Sequence, residues 1–243
     1  MRPLLFLDTE TAGIGPDDRI VQIAYKSSQG TVNELFNPNI PIKPEASAVT
    51  HITNKHIADK PQFHNSDTYL DLMVKATTHT LVAHNAQFDL KMLEKEGVIF
   101  THFIDTLKVA RHLDDDGMTN HQLQYLRYYY DLDIDLGPLS PHDALADIIV
   151  LEAVFKVLGK NLMGKEEIFD KANTVARMFD ISRRPSLLKY PPFGKYSKFG
   201  ATPMTFRDAA VKDKPYLMWM LNAKRAEPDA SEDLIYTLET YLK

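Results

Sequence analysis

Two carboxylates stand side by side in the opening stretch Leu4-Leu5-Phe6-Leu7-Asp8-Thr9-Glu10-Thr11. Four apolar residues in a row predict a strand buried on both faces. In a strand, positions i and i+2 point to the same side, so Asp8 and Glu10 project together from one face. Two carboxylates held that close repel each other and resist desolvation. A divalent cation with a taste for oxygen ligands, Mg²⁺ or Mn²⁺, relieves both problems. Asp-x-Glu at the end of a strand is also what a strand running out into a polar loop looks like, so the pair needs company elsewhere.

Asp147 supplies it. Ala144, Leu151, Val154 and Leu158 share its face of a helix, and a carboxylate on an apolar stripe is expensive unless it is paired or binds metal. Asp89 lies in the first turn of a helix after Asn85, where favouring the helix dipole would explain it equally well. His142 precedes Asp147 by five residues, a rotation of about 140° on a helix, so the two do not converge there. His142 is therefore expected on the loop or cap before the helix, directed by Ser140-Pro141.

The elements that must position these groups follow in order. Arg19–Lys26 alternates as a half-buried strand, and Val32–Phe36 is its hairpin partner across Gln29-Gly30. Glu45–Asp59 gives short helical pieces. Ser66 caps a helix to Thr77, and Thr80–His84 is a buried strand. Asn85 caps a helix ending at Gly97. Phe103–Asp105 is a strand, Leu107–Leu113 a helix, and Asp114-Asp115-Asp116-Gly117 a solvated acidic turn. Asn120–Tyr130 is an aromatic-rich helix whose tyrosines pack core and rim. Ala144–Leu158 is a helix stopped by Gly159 and Gly164. Lys165–Met178, Pro215–Asn222 and Leu234–Leu242 complete the helices, with Trp219, Leu217 and Leu221 as a small core. Strands first and helices between later strands define an α/β fold with a mixed sheet.

Asp8-Thr9-Glu10, Asn85-x-x-Phe88-Asp89 and His142-x-Ala144-x-x-Asp147 together resemble the DEDDh branch of the 3′→5′ exonucleases over about residues 4–160. The resemblance implies an RNase H-like mixed five-stranded sheet flanked by helices, with a small C-terminal appendage. It implies two Mg²⁺ or Mn²⁺ ions, with Asp8 bridging both, Glu10 and Asp147 completing one shell, Asp89 serving the other, and His142 as general base. It makes Thr9, Asn85 and Phe88 substrate contacts. It also makes Ile52 and Thr53, in Thr50-His51-Ile52-Thr53, contacts to the terminal nucleotide, although the two residues before them depart from the family's His-Gly. Ile14, in Thr11-Ala12-Gly13-Ile14-Gly15-Pro16, takes the place of a wedge against duplex ends; the plainer alternative is a side chain tucked into the core. Ser182–Leu187, Phe193–Tyr196 and Pro215–Trp219 resemble the C-terminal portion of a DNA-degrading member of the family.

The chain has 243 residues, 44% of them hydrophobic and 25% charged, enough for a globular protein of one or two domains. No cysteine is present, which excludes disulfides and thiolate metal sites and suits a cytoplasmic setting. No leader and no membrane span is expected. Residues 1–170 hold 15 Lys and Arg against 25 Asp and Glu, net −10; residues 171–243 hold 13 against 8, net +5. The division expected is an exonuclease domain over 1–164 and a small basic domain over 165–243. In the latter, Arg183, Arg184 and Lys195, interleaved with aromatics, are expected to touch DNA. The expected partner is a DNA 3′ end, single-stranded or duplex, and homodimer formation stays open. Trimming of RNA 3′ ends by the same chemistry, or a binding module with a decayed site, are the alternatives. The second requires a missing carboxylate, and none is missing.

Overall fold

The structure, a computed structural model, describes residues 1–114, 118–227 and 230–243. Asp115, Asp116 and Gly117 of the acidic turn lie outside the described residues. The chain divides into two compact units, Met1–Ser182 and Arg183–Lys243.

The first unit is built on β1 (Leu4–Thr11), which lies at the centre of a sheet ordered β3-β2-β1-β4-β5. β2 (Ile20–Ser27) and β3 (Gly30–Leu35) run antiparallel beside it; β4 (Thr80–Ala83) and β5 (Phe103–Asp105) continue the sheet in parallel on the other side. This is the mixed five-stranded sheet that the sequence led us to expect. Leu5 and Leu7 point into a core with Leu72 and Ala76 of α3 (Asp67–Thr78) and Met92 and Leu93 of α4 (Ala86–Lys95). Leu4 and Phe6 point the other way, towards the core lined by Val150, Val154 and Phe155 of α7 (Ala144–Lys165). Phe6 meets Phe155 edge to face, with centroids 5.3 Å apart. Covering on both faces is why β1 opens as an uninterrupted apolar run. The same helix corrects the expectation for β2. Its residues Ile20–Tyr25 are all buried, not alternately so, because Ala24 packs on Ala144 and Ile148 from above while Ile23 and Tyr25 join the core below.

Several boundaries differ from the sequence reading. Two short helices, α1 (Pro44–Thr50) and α2 (Asn54–Ile57), fill the Glu45–Asp59 stretch. α5 (Thr106–Leu113) and α6 (Leu123–Tyr129) fall where helices were expected. α7, however, passes through Gly159 and Gly164 to Lys165. A Cβ at Gly159 would come 3.7 Å from Thr174 and 3.9 Å from Met178, ordinary contact distances, and the helix runs straight through this glycine, which is not a stop signal. The following helix, α8 (Lys171–Ser182), buries Met178 and Ile181 in the α7 core, and the Ser182 hydroxyl accepts the Asp105 backbone N–H at 2.8 Å. A boundary at 164 would cut through this packing; the first unit extends to Ser182.

In the second unit, α9 (Phe206–Lys212), α10 (Lys214–Arg225) and α11 (Glu232–Leu242) surround Phe206, Leu217, Met220, Leu221, Leu234 and Leu238. Leu217 and Leu221 are core as expected. Trp219 is not: it is 60% exposed, because it lies on the opposite side of α10 from Leu217 and Leu221. No helix among the described residues is long and apolar enough to cross a membrane.

A chain ending after Ser182 should fold and melt cooperatively. One ending after Gly164 loses the buried Met178 and Ile181, worth about 1.5–3 kcal/mol each, and should melt well below it. Circular dichroism melts of the two fragments check this; equal midpoints would show that α8 contributes nothing to the first unit.

Candidate active site

β4 ends at Ala83, so β1 continues past its parallel neighbour, and residues Asp8 to Glu10 have no strand on that side. α4 takes its place. The Asp89 Oδ1 atom accepts the Thr9 backbone N–H at 3.1 Å and the Thr9 hydroxyl at 2.7 Å, so the carboxylate replaces a missing strand partner. Asp89 is 3% exposed, which rules out a role confined to the helix dipole. Thr9 is buried too, and its hydroxyl is committed to Asp89. The start of α4 is set by Asp105 at the end of β5, whose Oδ1 accepts the N–H groups of Asn85 and Leu107, each at 3.0 Å. Asn85 occupies the cap position with φ of 65°, but its side chain makes no capping bond, contrary to expectation. It is exposed, and Phe88 is half-buried against the core.

On the other face, α7 brings Asp147 over Glu10. Asp143 caps this helix by accepting the Leu145 N–H at 2.9 Å, and Gln22 of β2 accepts the Ala144 N–H at 3.3 Å. Gln22 is paired with Glu10 across the β1–β2 ladder, so it ties the helix start to the strand that carries the carboxylates. His142 lies before the cap, as its spacing from Asp147 required, in a left-handed conformation with φ of 66°. That turn directs the His142 backbone N–H to Asp147 Oδ2 at 3.2 Å, and Gln124 of α6 donates to Oδ1 at 2.8 Å. Asp147 is thereby held at both oxygens. Glu10, His142 and Asp147 each offer a ligand atom within 4.8 Å of the others, a group able to hold a metal ion.

The electrostatics focus on Asp8. Burial, and then Asp89, Glu10 and Asp147, hold its carboxyl well above the usual range. Burial and the neighbouring Asp147 push Glu10 up to about 8. Burial raises Asp89 to about 7 against the lowering effect of the Thr9 bonds. Asp147 is raised by burial and restrained by Gln124 and His142. Four acidic groups that all resist ionisation in one cleft form a donor set matched to hard divalent cations.

The ladder shifts register between Glu10 and Thr11, and such bulges re-aim the chain next to functional sites. The loop that follows is braced. Asp18 accepts the Gly15 N–H and the Lys43 ammonium, each at 2.6 Å, and Lys95 donates to the Gly15 carbonyl at 2.8 Å. Ile14, at its tip, is 86% exposed, so it does not tuck into the core. Ile52 is buried among Ala12, Val21 and Ile57, while Thr53 is exposed at the start of α2. In the second unit, Arg183 and Arg184 are exposed, and Lys195 pairs with Asp213 at 2.5 Å. Sequence reasoning did not single out Gln22, Gln124, Asp105 or Asp143. Asp143 sits beside the motif, but the two glutamines act only through long-range pairing that no spacing reveals.

Such a sheet with a carboxylate cluster on its central strand defines a nuclease of the RNase H-like class. Residues 5–155 match the Exonuclease (RNase T) family, and the chain belongs to that family. It is 30% identical over 257 aligned positions to Exodeoxyribonuclease 10 of Escherichia coli strain K12, covering 99% of both chains. It is 27% identical to the DNA polymerase III subunit epsilon of Rickettsia typhi, over 70% of this chain and 80% of that one. Among solved structures it is similar to Exonuclease X in complex with 5′-overhanging duplex DNA. The TM-score is 0.56 at 28% identity, and the match covers 74% of this chain and 99% of the other.

The raised carboxyls predict how stability varies with pH. Each binds a proton more tightly in the folded than in the unfolded chain, so the fold gains from protonation and loses that gain as pH rises. With EDTA, the melting temperature should fall from about pH 5 to pH 8, through the folded values of Asp89 and Glu10. Mn²⁺ should raise it more at pH 8 than at pH 5. Thermal shift assays at the two pH values test both signs, and a metal effect independent of pH would disconnect the cluster from cation binding.

Proposed function

We propose that this protein is a 3′→5′ exonuclease that hydrolyses DNA from its 3′ ends and releases nucleoside 5′-monophosphates with two divalent cations, Mg²⁺ or Mn²⁺. The observation that carries the reading is the convergence of Asp8, Glu10, Asp89 and Asp147 on one cleft, each with its carboxyl pushed up, beside an exposed His142. DNA as substrate is supported by the full-length likeness to Exodeoxyribonuclease 10.

The residues divide the work. Asp8, at the centre of the repulsion, would ligate both cations; Glu10 and Asp147 would serve one and Asp89 the other. When bound, the cations supply positive charge for the attacking and leaving oxygens of an in-line displacement at phosphorus. Thr9 fixes Asp89 with its backbone N–H and its hydroxyl. Gln124 and the His142 backbone orient Asp147, leaving the His142 imidazole free at the mouth of the cleft. There it accepts the proton of the attacking water as the bond from phosphorus to the 3′ oxygen of the preceding nucleotide breaks. Phe88, Asn85, Thr53 and Ile52 line or support the place of the terminal nucleotide.

EDTA or Asp8→Ala should abolish release of mononucleotides from end-labelled single strands. His142→Ala should lower the rate by about 10²–10⁴-fold yet keep the Mn²⁺-induced thermal shift. If that variant loses the shift, His142 is a ligand and the assignment of a base is wrong. Comparing DNA with RNA in the same assay decides the substrate class.

Ile14 presents an apolar tip on a loop anchored by Asp18 and Lys95. Inserted at a duplex end, it offsets part of the few kcal/mol needed to unstack a base step. Ile14→Ala should therefore slow digestion of blunt duplex more than of single strands, measured as initial rates on matched substrates. Equal slowing would reduce Ile14 to a general contact.

A further inference from the structure

The second unit carries 11 Lys and Arg against 7 Asp and Glu, net +4, whereas the first carries 17 against 26, net −9. Several of its acids are already engaged. Asp213 pairs with Lys195, Glu227 with Lys224, and Glu239 with Arg225. Arg207, Lys212 and Lys214 remain, exposed and without an ion pair among the described residues. A basic surface on an otherwise acidic protein is a place for a polyanion.

The same unit carries a run of aromatic rings. Tyr196 and Tyr216 meet edge to face at 5.2 Å, and Tyr216 lies 5.6 Å from Trp219. The Lys195 ammonium sits 4.6 Å from the Tyr196 ring centre and 4.7 Å from that of Tyr216. Phe193 is covered on one side by Lys224, 4.6 Å from its ring centre. Gly194, with φ of 81°, lets the loop pass so close to Tyr216 that a Cβ would collide with the hydroxyl. The loop and α10 therefore form one face. At its edge Trp219 is 60% exposed and Phe193 40%, while Phe206, Leu217 and Leu221 fill the core behind. Exposing a tryptophan costs hydrophobic burial, so a ring left at the surface calls for a use there.

We propose that this face, centred on Trp219 and Phe193, is a second binding site for single-stranded nucleic acid, whose phosphates are met by Arg207, Lys212 and Lys214 of the same unit. Bases stack on the two rings and phosphates meet the free cations. The site is independent of sequence, because every base has a π face. It rests on the reading of the protein as an exonuclease and adds a hold on the strand apart from the cleft. A protein partner would use the same rings but has no need of the unit's net positive charge.

Trp219 is the only tryptophan, so the site carries its own probe. Full-length protein in EDTA, which prevents hydrolysis, is titrated with oligo(dT) while tryptophan emission and the anisotropy of a labelled oligo(dT) are recorded. We expect saturable quenching with the same midpoint as the anisotropy. Trp219→Ala should bind roughly 5- to 100-fold more weakly and Trp219→Phe much less so, since stacking survives in phenylalanine. Replacing Arg207, Lys212 and Lys214 by Ala should lower the slope of log K against log salt by about 2. Trp219 and the three cations are exposed, so matching thermal melts show that the fold is intact. Binding without quenching, with Trp219→Ala equal to the unaltered protein, overturns the inference and leaves the face to a protein partner. If mononucleotides are still released in Mg²⁺, the exonuclease reading survives that result. A protein that neither binds nor degrades the strand overturns both.

Discussion

The mutual repulsion of four clustered carboxylates is the constraint on which this structure turns. Asp89 and Asp147 are buried and Asp8 and Glu10 half-buried, and all four carboxyls are held above their usual range. A fold does not keep such a group together for its own stability, since unpaired buried charge is among the most destabilising features a protein can carry. The cluster persists because the rest of the first unit over-determines it. It has a use only when something positive enters.

The scaffold answers that repulsion with bonds that come from far along the chain. Thr9 and Asp89 are 80 residues apart, Gln124 and Asp147 are 23 apart, and Gln22 and Ala144 are 122 apart. Each uses a polar group at the end of an element that is otherwise apolar. β4 ends early, and that shortness lets α4 deliver Asp89 to the open edge of β1. A bulge after Glu10 turns the chain away before the strand can close the cleft, and the braced loop beyond it presents Ile14. The geometry of the carboxylate cluster is thus a property of strand ends and helix starts, the usual place for ligands in open α/β sheets.

The two units divide charge as well as structure. An acidic first unit suits cations but repels a polyanion at distance, and the second unit has the opposite sign. Its small core is enough to hold α9, α10 and α11 together without Trp219, which leaves that ring for the surface.

The chemistry was legible in the sequence because it lies in short local patterns. Asp147 on an apolar stripe stands out by period, whereas Asp-x-Glu on an apolar strand and Asp89 in a first helical turn gain meaning only in combination, through the resemblance to an exonuclease family. His142 was rightly excluded from the helix by the same arithmetic. The mixed sheet followed from the order of elements. What only the tertiary structure decided has no local signature. Gly159 reads as a stop until α8 packs against it, and the first unit reaches Ser182 for the same reason. That the Thr9 N–H goes to Asp89 depends on β4 ending early. Trp219 reads as core because a tryptophan among leucines usually is; which side of α10 faces inward is settled by contacts with α9 and α11. Gln22 and Gln124 could not be found at all, since a hydrogen bond across the fold depends on distance in space, and sequence encodes only distance along the chain.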